Sequence, residues 1–325
     1  MDRGDVMAIL EVKNLKTYFD INNTLYPAVD DISFSLEKGE TLAIIGESGS
    51  GKSVTALSIM GLVNEPGKII QGEIIFESKD LLQLKERELQ NIRGNKISMI
   101  YQDPMMTLNP FNKVGDQIEE ALLIHKKADK KTSKKAAIGL IKAVGISEAE
   151  NRYSHFPNQF SGGMRQRLMI AMAIACNPQI LIADEPTTAL DVTIQSEILE
   201  LIKDLKHKNN MSIILNTHDL GVVAEMADSV IVMYCGKIME KSSIKNIFDN
   251  PLNPYTISLM NCIPRIDDRK KKLKSIEGYV PHPTDYGIGC RFFDRCDKVM
   301  EICKLEMPEL IEKNPDHFVR CFLYT

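Results

Sequence analysis

Residues 46–53 read Gly46-Glu47-Ser48-Gly49-Ser50-Gly51-Lys52-Ser53. The glycines let backbone N–H groups converge on phosphate oxygens, because no Cβ blocks the approach. Lys52 is spaced to reach a β- or γ-phosphate, and the Ser53 hydroxyl to ligate Mg²⁺. This pattern requires a strand before it and a helix after it. The run Thr41-Leu42-Ala43-Ile44-Ile45 ends at Gly46, and residues 54–62 follow with helical character. The chemistry implied is capture of a Mg²⁺–nucleoside triphosphate.

A second constellation lies at Ile180-Leu181-Ile182-Ala183-Asp184-Glu185. An apolar strand ending in two carboxylates presents them at the carboxyl edge of a sheet, beside the phosphate loop. Asp184 is then expected to hold Mg²⁺, directly or through water, and Glu185 to orient and polarise the attacking water. A third, Phe160-Ser161-Gly162-Gly163-Met164, precedes Asp184 in the chain. Ser161 opens a helix, and Gly162 and Gly163 expose its first N–H groups. Spacing alone leaves two readings open there, an anion site at a helix N-terminus or a plain serine cap.

The surrounding elements must position these groups. Residues 8–19, 32–36, 72–76 and 97–101 suggest strands, the segment 32–36 by its period-two alternation. From about 114 to 145 the pattern turns helical around a Lys-rich solvated stretch at 126–135. Strands at 180–183, 212–215 and 230–234 then alternate with helices at 194–206 and after Asp219, which can cap the latter. Alternating β and α predicts a parallel sheet. The alternation fades after Pro251 and Pro254. The expected division is 1–250 as one domain, with a helical block at about 102–160, and 251–325 as a small accessory region. The charged run 269–272 reads as a linker.

The chain has 325 residues, with 40 Lys+Arg against 44 Asp+Glu. This near balance gives no support for a nucleic-acid polycation. The longest unbroken apolar run, 168–176, is far short of the roughly 20 residues of a membrane span. Residues 1–5 lack a secretory leader's apolar stretch. A cytoplasmic protein is the expectation, and any membrane span must come from another chain.

Taken together, these motifs resemble the ATP-binding subunits of ABC transporters. Ser161-Gly162-Gly163 is similar to the core of that family's signature motif, with Phe160 and Met164 departing from the commoner Leu and Gln at its edges. The resemblance implies an α/β P-loop ATPase domain with a mixed sheet and an inserted helical subdomain. It also implies a nucleotide sandwich dimer in which one subunit's signature closes over ATP held by the other. Gln102 resembles the residue that senses Mg²⁺ and the attacking water, Ala189-Leu190-Asp191 the loop that crosses the dimer interface, and His218 the switch histidine at the γ-phosphate. Phe19, with Tyr18 as rival, resembles the aromatic that stacks on adenine. The segments 164–173 and 183–193, together with Gln102-Asp103-Pro104 and Asn253-Pro254-Tyr255-Thr256, narrow the likeness to ATPases of dipeptide/oligopeptide importers. That subfamily implies a second, related ATPase chain, two membrane permeases, an extracytoplasmic peptide-binding protein and a place on the cytoplasmic face of the membrane. Nickel or another small solute is the alternative cargo. A non-transport ABC ATPase acting on DNA or ribosomes is disfavoured, because a single cassette without a long coiled-coil insertion is present.

Of the seven cysteines, Cys176, Cys235 and Cys262 sit among apolar neighbours and read as small hydrophobes. Cys290, Cys296, Cys303 and Cys321 crowd the C-terminal end. Four thiolates can hold Zn²⁺ or a [4Fe–4S] cluster, and spacing does not decide between them. The resemblance implies the [4Fe–4S] cluster, in a structural role. His317, near Cys321, could serve as a ligand, but it reads rather as a surface residue.

Overall fold

The computed structural model describes residues 8–188, 190–262 and 275–325. Ala189, the opening residues 1–5 and the charged run 269–272 lie outside them. The described strands are β1 (Ala8–Ile21), β2 (Thr24–Glu37), β3 (Thr41–Ile45), β4 (Gly67–Phe76), β5 (Lys79–Asp80), β6 (Ile97–Ile100), β7 (Ile180–Asp184), β8 (Ser212–Thr217), β9 (Ser229–Tyr234), β10 (Lys237–Ser243), β11 (Leu310–Asn314) and β12 (His317–Arg320). Backbone contacts group the chain into two compact units.

The first unit draws on residues 1–36, 41–82 and 216–325. Four of its strands form a sheet in the order β2-β1-β4-β5, with β1 and β4 antiparallel from Leu10↔Phe76 to Phe19↔Gly67. Its other strands run β11-β12-β10-β9-β3. Here β3 and β9 are parallel, pairing Ala43 with Val230 and Ile45 with Val232. Every residue of β3 is buried, and all of β9 beyond Ser229. Continuous apolar strands of this kind need cover on both faces, which suits parallel pairing. From β9 outward the direction alternates, with β10 antiparallel to β9, β12 to β10, and β11 to β12. Cys235 and Gly236, both at positive φ, make the tight turn between β9 and β10. The sheet is therefore mixed, where strand–helix alternation alone predicts a parallel one.

The core of this unit gathers Ile45, Val230, Val232, Tyr234, Tyr255 and Phe292. Phe292 lies edge-on to Tyr234 at 5.3 Å and tilted against Tyr255 at 5.2 Å. Residues beyond 250 thus contribute Tyr255 and Phe292 to this core. Residues 216–325 cluster with the N-terminal strands, because β12 hydrogen-bonds β10 and Phe292 fills the shared core.

The second unit spans 37–40 and 83–215. Its strands run β8-β7-β6, with β6 and β7 parallel. Helices Val114–Ile124, Ser133–Ala143, Gly162–Ile174 and Val192–Asn209 belong to it. Ile118, Ala137, Ile141 and Leu168 are completely buried, which is what an apolar stripe at helical spacing produces. The Lys-rich stretch separates two helices through a turn built on Asp129, whose carboxylate accepts from the Lys131 and Thr132 amides. Among the described residues, no helix is long and apolar enough to cross a membrane.

Candidate functional site

The phosphate loop leaves β3 at Gly46 and enters the helix Lys52–Met60. Its glycines are required by close approach as well as by conformation. Gly46 has φ +151°, and a Cβ there would lie 2.1 Å from the Met233 carbonyl oxygen. Gly51 has φ +105°, and its Cβ would lie 2.4 Å from the Ala28 carbonyl oxygen. The Gly236 amide donates to the Ser50 carbonyl at 3.0 Å, which fastens the loop to the β9–β10 turn. Lys52 is 5% exposed and folds across the loop, with Nζ donating to the carbonyls of Gly46 (2.7 Å) and Glu47 (3.1 Å). Ser48 and Gly49 are exposed at the rim, and Ser53 is half-buried.

Neither aromatic near the end of β1 is free of other duties. Tyr18 Oη donates to Asp30 at 2.8 Å, and Asp30 also pairs with Lys237 and Arg291, both at 3.1 Å. Burial pushes the Asp30 carboxyl up, but Lys237, Tyr18 and Arg291 outweigh it and hold the group below the ordinary carboxylate range. Phe19 lies against Gly67, where a Cβ would come within 2.8 Å of its ring.

In the second unit, β7 carries Asp184, which is 5% exposed, and the chain turns immediately afterwards. Glu185 has φ +48°, a left-handed conformation that is uncommon for a glutamate and that aims its side chain away from the strand line. Its Oε2 accepts from Gln102 Nε2 at 3.0 Å and from Thr188 Oγ1 at 2.9 Å. The structure therefore brings Gln102 and Glu185 together across 83 residues of chain. Thr188 escaped the sequence reading, although a threonine three residues after an acid is a local pattern that could have suggested it.

Ser161 is the N-cap of the helix Gly162–Ile174, and its hydroxyl accepts from the Met164 amide at 3.3 Å. Gly163 has a packing reason of its own, since a Cβ there would meet Ile194 Cγ2 at 2.7 Å. Gln166, buried in the same helix, donates to the Pro186 carbonyl and ties the helix to the turn that carries Glu185. Asp191 caps the helix Val192–Asn209, accepting from the Ile194 amide at 3.1 Å. In the first unit, His218 is exposed just beyond β8, and Asp219 caps the helix Leu220–Met226.

Cys290, Cys296, Cys303 and Cys321 line one pocket, walled by Met239, Phe292, Phe293, Met300 and Phe322. All four are free thiols. The segments are drawn close, with the Cys290 amide donating to the Cys303 carbonyl at 2.8 Å. Burial pushes the Cys290 thiol up to about 11 and raises those of Cys296 and Cys321. Among the described residues, no group of three or more His, Cys, Asp or Glu is placed to hold a metal ion. His317 differs from expectation. It is 1% exposed, and its Nε2 lies 2.7 Å from Glu240 Oε1, so it fastens β12 to β10 instead of facing solvent.

Two residues that contact the phosphate loop were given no site role by the sequence, although Tyr255 belongs to a segment that carries the resemblance. Tyr255 Oη accepts from the Glu47 amide at 3.0 Å, and Arg295 pairs with the Glu47 carboxylate at 2.7 Å. They lie 208 and 248 residues from Glu47, beyond the reach of any local motif.

Comparison with known proteins agrees with this geometry. Residues 29–188 match the family described as ABC transporter, and residues 239–303 match the oligopeptide/dipeptide transporter C-terminal region. The chain is 53% identical over 97% of its length to the oligopeptide transport ATP-binding protein AppD of Bacillus subtilis, covering 97% of that protein. It is 46% identical over 97% of its length to the oligopeptide transport ATP-binding protein OppD of Escherichia coli, covering 93% of it. Among solved structures, a dimeric ATP-binding cassette in a post-hydrolysis state bound to ADP and Pi superposes with a TM-score of 0.65 at 28% identity. That superposition covers 72% of this chain and 98% of the cassette.

Proposed function

The chain belongs to the ATP-binding subunits of peptide ABC transporters, and from that premise we propose that it hydrolyses ATP to drive uptake of di- and oligopeptides. The observation that carries this reading is the phosphate loop 46–53, with two glycines in contact with backbone carbonyls and Lys52 folded across it. Lys52 and the loop amides hold the β- and γ-phosphates, and Phe19 or Tyr18 meets the adenine. Mg²⁺, when bound, neutralises charge on the phosphates, and the hydroxyl of Ser53, the carboxylate of Asp184 and the amide of Gln102 are the groups to hold it. Glu185 is the general base. Its carboxylate is oriented by Gln102 and Thr188, so it can take a proton from a water aligned with the γ-phosphate. His218 steadies the γ-phosphate, and Asp191 and Ser161 to Gly163 serve the nucleotide of a facing subunit.

The partners that follow from this reading are a second, related ATPase chain, two membrane permeases and an extracytoplasmic peptide-binding protein, with this chain on the cytoplasmic face. Residues 1–250 are the nucleotide-binding domain, about 102–160 its helical subdomain, and 251–325 the accessory region.

The four C-terminal cysteines fit a [4Fe–4S] cluster. They line one pocket with apolar and aromatic walls, and none is tied up in a disulfide. Bound there, the cluster would supply a cross-link among segments around 290–303 and 321.

The test is uptake of a radiolabelled dipeptide by cells whose only copy of this chain carries Lys52→Ala. Uptake is expected to fall to background while the protein still co-purifies with its permeases. Undiminished uptake would refute the motor role. Iron and acid-labile sulfide, measured on anaerobically purified protein with zinc in parallel, test the cluster. One zinc per chain and no iron would refute it.

A further inference from the structure

Arg295 lies between Cys290 and Cys296, on the short turn Phe293–Arg295. Its guanidinium makes a two-pronged pair with a residue of the phosphate loop. Nη1 donates to Glu47 Oε2 at 2.7 Å, and Nη2 to Glu47 Oε1 at 3.1 Å. The remaining donor directions are also used. Nε donates to the Glu277 carbonyl at 2.9 Å, Nη1 to Tyr234 Oη at 3.2 Å and Nη2 to the Ile276 carbonyl at 3.4 Å. The Arg295 side chain is 4% exposed. A planar guanidinium committed in this many directions has one available pose, and it passes that pose to its partner.

Glu47 is fixed at its other end too, since its amide donates to Tyr255 Oη. Its carbonyl accepts from Lys52 Nζ and from the Ser50 amide, both at 3.1 Å. Residue 47 is thus the point at which the C-terminal segment grips the loop that holds the nucleotide.

The charge at this point matters as much as the position. Glu47 is an acidic side chain inside a loop whose ligand is a polyanion. Left uncompensated, its carboxylate repels the phosphates, while the fork with Arg295 neutralises it and turns it toward residues 276–295. Anchoring of the segment itself does not depend on this pair, because Phe292 is buried in the core and Arg291 pairs with Asp30. The geometry points to Arg295 as a positioning residue for Mg–ATP. It neutralises and orients Glu47, so the fold of the cysteine-bearing segment sets the affinity of the phosphate loop. This rests on ATP being the ligand of residues 46–53.

The experiment is equilibrium binding of Mg–ATP to the full-length chain by calorimetry, on wild type, Arg295→Gln, Glu47→Gln and the double variant. Thermal melts and far-ultraviolet circular dichroism are recorded on the same samples. Arg295→Gln is expected to raise Kd about tenfold, because it leaves Glu47 unpaired in the loop. Glu47→Gln is expected to raise it about threefold or less, and the double variant no further than Glu47→Gln alone. KM for ATP follows Kd, while kcat stays within about twofold. The tenfold effect is expected to shrink as salt rises, since repulsion by a partly exposed charge is screened. A merely structural arginine would lower the melting temperature without moving the Kd of the folded fraction, and the second substitution would not rescue it.

The proposal is overturned if Arg295→Gln binds within twofold of wild type, or if the double variant shows the product of the two single losses. Should Arg295→Gln fail to fold, Arg295→Lys reads the same quantity. It keeps the charge but not the fork, so about a threefold loss is expected, erased by adding Glu47→Gln. Persistence of that loss in the pair overturns the proposal equally. Wild-type protein that binds no Mg–ATP would overturn the nucleotide reading together with this one. Wild-type binding with indifferent variants would overturn this one alone.

Discussion

Glu185→Gln exchanges a carboxylate for an amide of the same shape and leaves the left-handed backbone of residue 185 under the same strain. Both donors that converge on Glu185 Oε2, Gln102 Nε2 at 3.0 Å and Thr188 Oγ1 at 2.9 Å, can be received by the amide oxygen. Two charge-assisted bonds become neutral ones, which costs about 1 kcal/mol apiece at a half-buried position. The fold therefore survives. What disappears is the base, and a positioned general base contributes roughly 10²- to 10⁴-fold, or about 2.7–5.4 kcal/mol of barrier. Turnover by the variant, assembled with the same partners as wild type, is expected to fall at least about a hundredfold. Its Kd for Mg–ATP is expected to stay within about threefold, since the amide keeps the carboxylate's shape and hydrogen bonds. Phosphate release and equilibrium nucleotide binding measure the two quantities separately. Turnover within tenfold of wild type, on protein that binds nucleotide normally, would remove Glu185 from the proton transfer and leave its contacts with Gln102 and Thr188 as packing.

Three further outcomes follow from the packing and the charges. Phe292→Ala deletes a fully buried ring wedged against Tyr234 and Tyr255, and is expected to cost about 3–5 kcal/mol, read as a lowered melting temperature, with Phe292→Leu costing markedly less. Gly163→Ala places a methyl group where Ile194 Cγ2 already sits; a loss of about 1–3 kcal/mol is expected, recovered in part by adding Ile194→Ala, whereas no change in melting would show that the helix pair shifts freely. The Asp30 carboxyl is held below its unfolded value, so its pairing stabilises the protein above about pH 4 and is lost as pH falls through the depressed value. Asp30→Asn should therefore melt lower than wild type at neutral pH and converge with it in acid, and parallel melting curves across that range would contradict the pairing.

Much of the site was legible along the chain because its logic is local. The loop 46–53 lies between a strand and a helix, Asp184-Glu185 closes β7, and Ser161 and Asp219 cap the helices they precede. Strand alternation, capping and glycine placement act over a few residues, so a linear reading recovers them. It erred where neighbours in space were distant in sequence. Strand–helix alternation alone predicted a parallel sheet, whereas the resemblance implied the mixed one, because the antiparallel strands that β10 and the terminal hairpin add to β9 leave no mark in that alternation. His317 was read as a surface residue because nothing beside it in the sequence reveals Glu240, 77 residues away.

The sequence by itself determined that this chain carries a phosphate loop, a strand ending in two acids, and a glycine-rich helix start, since each is written in adjacent residues. Only the tertiary structure decided that Arg295 and Tyr255 hold Glu47, that Gln102 and Thr188 share Glu185 Oε2, and that four cysteines line one pocket. The reason is physical. Short-range geometry follows from the backbone and its nearest side chains, whereas a buried ion pair forms only after burial of apolar surface has brought remote segments together and excluded the water that would otherwise solvate both charges.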